Sequence, residues 1–342
     1  MAGAMVASFA SCSKKANSDE TLLQNSEKTT AQETVLKNNP LTNESGFNQD
    51  MVGKRPIAIM INNAPKARPQ WGLTSADAVF EFCVEGGVTR MMWLFADYES
   101  LPDKIGPIRS ARHHFVYTAE SLDAIYTHWG GSVMAKDVLK KDKVDDIDGI
   151  TYEGKYFYRD KTRNVAIEHR GISDKKKLNQ AITDLKIRTD LKKDQIGGPF
   201  VFAADDQKLS GGACSDIHVS FSEGYDHTFK YDAGKNVYYN YMNSSKFIDA
   251  NNDEQMAVSN VIVLYAPTKT LQNELCDVDL TGGKGVYVTN GTYQEIRWKK
   301  GNNGTDELKL TYADNGSQVK LNTGKSWIGF VPTDRESKTT IA

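Results

Sequence analysis

The chain has 342 residues, a formal net charge of −2, 39% hydrophobic residues and 25% charged residues. This is a globular composition, long enough for two domains with cores, and it excludes a disordered or fibrous protein. The near-neutral balance excludes a general basic field for nucleic acid, and no apolar run of about 18 residues supplies a transmembrane helix.

Residues 1–12 are small and apolar and end at Cys12. They read as the remnant of a truncated lipoprotein signal, with Phe9-Ala10-Ser11-Cys12 as the lipidation box and Cys12 as the lipidated residue. Residues 13–52 are rich in Asn, Ser, Thr, Glu and Lys and read as a tether, with order beginning at Gly53. Pro56–Ile61 predicts a strand, Ala76–Glu85 a second and Thr89–Tyr98 a third, with Gly86-Gly87 as a hairpin turn. Ile105–Arg109 reads as a short strand. Ser110 is the expected N-cap of a helix over Ala111–Leu122, with Phe115, Ala119 and Leu122 on its buried face. A strand over Asp123–Trp129, a turn at Gly130-Gly131-Ser132 and a helix over Val133–Lys141 follow. Tyr152–Tyr158 reads as an aromatic strand, and Ser173-Asp174 caps a basic helix to Leu185.

From Ile196 the pattern alternates at period two between Gly, Asn and Asp turns. It includes a hairpin over His227–Tyr241 and a closing strand over Lys325–Val331. The fold class is therefore α+β. An N-terminal α/β domain at 53–195, a mixed sheet with helices, precedes an antiparallel β domain at 196–335. Beyond Cys12, three cysteines remain, and Cys214 with Cys276 is the one pair worth testing as a disulfide. There is no CxxC, HExxH or GxSxG motif, so no metal and no cofactor is expected. Asn322–Ser326 imitates a phosphate-binding loop, but Val319 stands where its first glycine belongs.

The candidate binding residues gather at turns. Arg109, Ser110, Arg112 and His113 surround an expected helix start, where positive charge is unfavourable unless an anion joins it. Either an external anion fills that role or an acid of the same domain does. His114 lies beside them, and adjacent helical histidines do not share a metal-facing side. His128, Gly130, Gly131 and Ser132 form a strand-to-helix turn whose glycines admit an anion or simply make the turn. Glu85 and Arg90 flank the glycine hairpin as a site edge or as a local ion pair. Tyr158, Arg159 and Asp160 mix stacking and hydrogen-bonding groups suited to a sugar, or else belong to a core strand and its loop.

Several of these segments together resemble the YerB-like lipoprotein family of Gram-positive bacteria. They are Arg55–Asn63, Lys66–Gln70, Glu85–Arg90, Ile105–Arg112, Asp123–Tyr126 with His128–Ser132, and Phe157–Asp160, then Asn260–Val263, Gly283–Gly285, Trp298–Lys300 and Leu321-Asn322 with Gly324 and Trp327. Ile167–Arg170 departs from the Pro-His-Asn of that family, so no role is carried to His169. The resemblance implies an extracytoplasmic, lipid-anchored protein with an α/β part and a β part, and no settled activity. The sequence alone favours a binding protein for an anionic envelope polymer, small molecule or protein partner, held to the membrane by its N-terminal lipid and not contacting nucleic acid. An envelope hydrolase or transferase is the alternative, with His113, His114 or His128 as general base and Glu85 or Asp160 orienting it. A scaffold that docks proteins on edges of residues 215–331 is the third reading.

Overall fold

In the computed structural model, residues 1, 38–192 and 199–342 are described. Cys12, residues 13–37 of the expected tether and the 195/196 boundary lie outside them. The expected onset of order at Gly53 comes too late. Leu41, Thr42 and Met51 are buried, because the core takes in their side chains.

Three α-helices are present among the described residues: α1 (His113–Ser121), α2 (Val133–Asp142) and α3 (Lys175–Asp184). The first half carries strands β1 (Ile57–Asn62), β2 (Ala78–Cys83), β3 (Thr89–Phe95), β4 (Ile125–His128), β5 (Asp146–Asp148), β6 (Tyr158–Arg159) and β7 (Gly171–Ile172). The second half continues with β8 (Gly212–Ala213), β9 (Asp216–Ser222), β10 (Tyr225–Asp232), β11 (Val237–Met242), β12 (Ser245–Lys246), β13 (Ala257–Val258) and β14 (Asn260–Ala266). It ends with β15 (Thr268–Thr270), β16 (Cys276–Val278), β17 (Gly282–Thr289), β18 (Thr292–Lys299), β19 (Lys309–Tyr312), β20 (Ser326–Pro332) and β21 (Thr340–Ile341).

One mixed sheet of 11 strands runs β19-β18-β17-β14-β20-β2-β3-β1-β4-β5, with β8 added at β18. A second sheet of six strands runs β12-β11-β10-β9-β21, with β13 on β11, and all its pairings are antiparallel. Lys325–Val331 does not close an antiparallel module as expected. It forms β20, in the middle of the mixed sheet and parallel to both β14 and β2, with Phe80 opposite Ile328 and Ile262 on the other side. Ser326–Pro332 is buried throughout, and two covered faces favour that interior place.

One face of the mixed sheet lies under α1: Phe82 stacks on Phe330 at 4.2 Å and meets Phe115 edge-on at 4.7 Å. Phe115, Ala119 and Leu122 are buried as their spacing implies. The other face packs on the six-stranded sheet. There Glu81 and Trp327 meet His227, and Trp327 also contacts Phe221 and Phe229. Glu81 is fully buried and accepts from Asn63 Nδ2 (3.0 Å), Thr89 Oγ1 (2.6 Å) and Trp327 Nε1 (3.1 Å), with His227 Nε2 at 3.1 Å.

Several local expectations need correction. Tyr152–Tyr158 is mostly turn, because the Tyr152 carbonyl accepts from Lys155 and Tyr156 N–H and Gly154 takes a positive φ; only Tyr158–Arg159 pairs, with Gly171–Ile172. Asp174 caps α3 by accepting from Lys177 N–H, while Ser173 is buried and donates to the Tyr156 carbonyl. Ile105–Arg109 makes single bridges to Ser173, Trp71 and Ile61 in place of a ladder, and Pro107 removes a donor. Cys83, Cys214 and Cys276 are buried free thiols, so Cys214 and Cys276 are not bonded.

Candidate functional site

The segment before α1 crosses the C-terminal ends of the parallel strands β1 and β4. Asn62 N–H donates to the Pro107 carbonyl (2.8 Å), and Arg109 N–H to the Met60 carbonyl (2.9 Å). Trp129 N–H donates to the Arg109 carbonyl (3.0 Å), and Ala111 N–H to the Gly130 carbonyl (2.8 Å). This commits residues through Ala111 to extended backbone. The helix therefore starts at His113 rather than after Ser110, with Arg112 at the N-cap and no side chain capping it. Strand ends of this kind, beside an uncapped helix start, are where α/β sheets collect anions. Arg90, the second residue of β3, pairs with Asn62 and donates to the Ser110 carbonyl at 2.6 Å.

The three arginines have different fates. Arg112 chelates Glu85, its Nε lying 2.7 and 2.9 Å from the two carboxylate oxygens and Nη2 also bonding one of them. Glu85 also accepts from Cys276 N–H at 3.4 Å, which ties the β15–β16 hairpin to the pair. Burial raises Glu85, and the Arg112 contacts outweigh it and hold the carboxyl below its usual range. Arg90 is only 7% exposed and has no carboxylate in contact among the described residues. Burial, reinforced by Arg112 and Arg109, pulls its guanidinium down to about 9, so it still carries its charge at neutral pH. The half-buried Arg109 makes no side-chain hydrogen bond or ion pair among the described residues. Burial lowers it; Glu168 offsets part of that, and Arg112 and Arg159 add to it. Three mutually repelling cations thus share one directly bound carboxylate.

The histidines lie inside. His113 is 4% exposed and bonds Asp277 Oδ1 through Nε2 at 3.0 Å. His114 is fully buried with neither ring nitrogen partnered, and burial lowers it well below its ordinary value, so it is neutral. His128 is 2% exposed and engaged at both nitrogens, by the Gly130 carbonyl (2.8 Å) and Asp146 (3.0 Å).

The glycine turn is likewise spent on structure. Gly130 N–H donates to Asp148 (2.6 Å), Gly131 bridges Ala111, and Ser132 caps α2 by accepting from Ala135 N–H (3.2 Å). Arg159 stacks 3.8 Å over the Trp129 ring and bonds Glu153 and the Ile167 carbonyl, which brings it to the Arg109 neighbourhood. Tyr158 and Asp160 do not join this site. Tyr158 pairs with Ile172, and the buried Asp160 holds Lys104 (3.2 Å) and Thr162 (2.8 Å). The sequence reading missed one wall: Asn62 Nδ2 donates to the Glu168 carbonyl (3.3 Å) and meets His169 Nδ1 (3.0 Å). The strand C-terminus at Asn62-Asn63 was the available signal for it.

This arrangement belongs to a recognisable class. Residues 41–188 and 217–328 match the N- and C-terminal domain models of DUF3048, described as a protein family of unknown function. The chain is 30% identical over 303 residues to the "Putative lipoprotein YerB" of Bacillus subtilis (strain 168), covering 83% of each protein. The crystal structure of YerB from Bacillus subtilis superposes with a TM-score of 0.76 at 27% identity, covering 89% of this chain and 99% of that one. The chain belongs to this YerB-like DUF3048 family.

Proposed function

We propose that this protein is a membrane-anchored, extracytoplasmic lipoprotein that binds an anionic ligand at Arg90, Arg109 and Arg112. The anchoring rests on the likeness to a relative named as a lipoprotein and on the lipidation box ending at Cys12. No helix among the described residues is long and apolar enough to cross a membrane. The observation that carries the binding reading is the buried Arg90 beside the uncommitted Arg109, with no acid among the described residues in contact with either. An anion held by both would relieve their repulsion, and guanidinium forks suit phosphate or carboxylate. Glu85 fixes Arg112 in place as a wall of the site.

The hydrolase or transferase reading has less support. His113 and His128 do have carboxylate partners, but they are buried, and His114 has none, so none of these three histidines reaches a substrate beside Arg109. The test is calorimetric titration with inorganic phosphate. The native protein binds it, and Arg109→Ala abolishes binding while the melting temperature stays within about 2 °C, since a half-buried side chain with no hydrogen bond or ion pair among the described residues costs little. Equal phosphate binding by the two proteins would refute the assignment.

A further inference from the structure

Among the described residues, the exposed large apolar side chains are Met1, Val133, Ile150, Ile167 and Val201. Three of the five border the cationic site, at exposures of 69%, 62% and 56% for Val133, Ile150 and Ile167. Val133 follows Ser132, whose N–H donates to the Ala111 carbonyl next to Arg112. Ile150 lies so close to Gly130 that a Cβ there would meet its Cδ1 at 2.7 Å. The Ile167 carbonyl accepts from Arg159 at 3.0 Å, and Glu168 beside it is the acid that Arg109 feels most strongly.

No fold requirement explains these residues. Val133 occupies the first position of a helix, Ile150 a turn after β5 and Ile167 a short 3₁₀ turn, all places where polar residues serve as well or better. Single exposed aliphatics need no explanation, but a group set around a cluster of excess positive charge does. The charge attracts an anion, and the aliphatics reward whatever apolar group that anion carries.

We propose that the site takes an amphiphilic anion, a phosphate-type head carried on an aliphatic chain. The head sits at Arg90 and Arg109, and the chain lies across Val133, Ile150 and Ile167. This rests on the anion reading above and narrows it to one chemical class. The head group comes either from a free amphiphile or from a lipid in a bilayer.

The experiment compares inorganic phosphate with hexyl phosphate by calorimetry on the native protein and on a Val133→Ser/Ile150→Ser/Ile167→Ser variant. The native protein binds hexyl phosphate at least about ten-fold more tightly, the worth of roughly two buried methylenes. The triple variant loses that preference and keeps its phosphate affinity within about two-fold, because the changed side chains are solvent-exposed. Arg109→Ala weakens both ligands. Equal affinities in the native protein, or an unchanged preference in the triple variant, overturn this proposal and leave the anion reading standing. Binding of neither ligand overturns both. With Cys12→Ser removing the proposed lipid anchor, pelleting with phosphatidylglycerol vesicles and not with phosphatidylcholine vesicles places the head group in a bilayer. A hexyl phosphate preference without pelleting assigns the free amphiphile.

Discussion

Replacing Glu81 by Ala removes the acceptor at which the two sheets meet. Asn63, Thr89, Trp327 and His227 all lose a partner where neither Glu81 nor His227 has exposed side chain. Leaving these four buried groups without their charged acceptor costs about 3–5 kcal/mol. At roughly 2 °C per kcal/mol for a chain of this size, the melting temperature falls by about 6–10 °C. Glu81→Gln preserves the volume and an acceptor and costs less, about 1–3 kcal/mol. Burial works to raise Glu81, but the charge and hydrogen bond of His227, with bonds from Thr89 and Trp327, hold it below the usual carboxylate range. Its contribution is therefore present above the unfolded value near 4.3 and is lost as pH falls through the lower folded value. Circular-dichroism melts and urea titrations of Glu81→Ala, His227→Ala and the double variant provide the check. The double variant is less destabilised than the sum of the singles by at least about 1 kcal/mol. An Ala variant melting within about 2 °C of the native protein, or strict additivity, would refute the reasoning.

Two further outcomes follow from single side chains. Burial lifts the Asp77 carboxyl to about 6 although Ala96 N–H (2.7 Å) and Asn39 (3.0 Å) donate to it. The folded value exceeds the unfolded one, so its ionisation costs stability as pH rises from about 4 to 6. After allowance for one lost acceptor and partial exposure, Asp77→Asn stabilises by on the order of 1 kcal/mol at pH 7 and not at pH 4, read from urea midpoints. A Cβ at Gly149 would meet the Trp129 ring at 2.6 Å, so Gly149→Ala costs about 1–3 kcal/mol by the same measurement. An unchanged midpoint would show that Trp129, and with it the Arg159 stack, is free to move.

Local signals carried much of this fold. The Gly86-Gly87 turn, the hairpin over His227–Tyr241 and the Ser132 cap of α2 each depend on residues close together in the chain. Ser110 misled because nothing nearby shows that Ala111 is held extended by the distant Gly130 carbonyl. The Tyr152–Tyr158 aromatics have the composition of a strand, yet tertiary burial of Tyr156 and Phe157 is met there by turns. The site was legible as a gathering of arginines. Which of them a native acid claims was not, since Glu85 reaches Arg112 through folding alone. The buried histidines were illegible for the same reason: Asp277 meets His113 from the other half of the chain.

The position of β20 sets a timetable. A chain emerging from its N-terminus first makes β2 early, and one edge of β2 stays open until Ser326–Pro332 arrives. Val79, Phe80 and Phe82 wait meanwhile beside unpaired backbone groups, an edge inclined to pair with the wrong partner. Contacts this distant in sequence slow folding and link it to completion of synthesis. In the extracytoplasmic location proposed above, that delay is useful: the part that leaves first does not complete its sheet before the part that leaves last arrives.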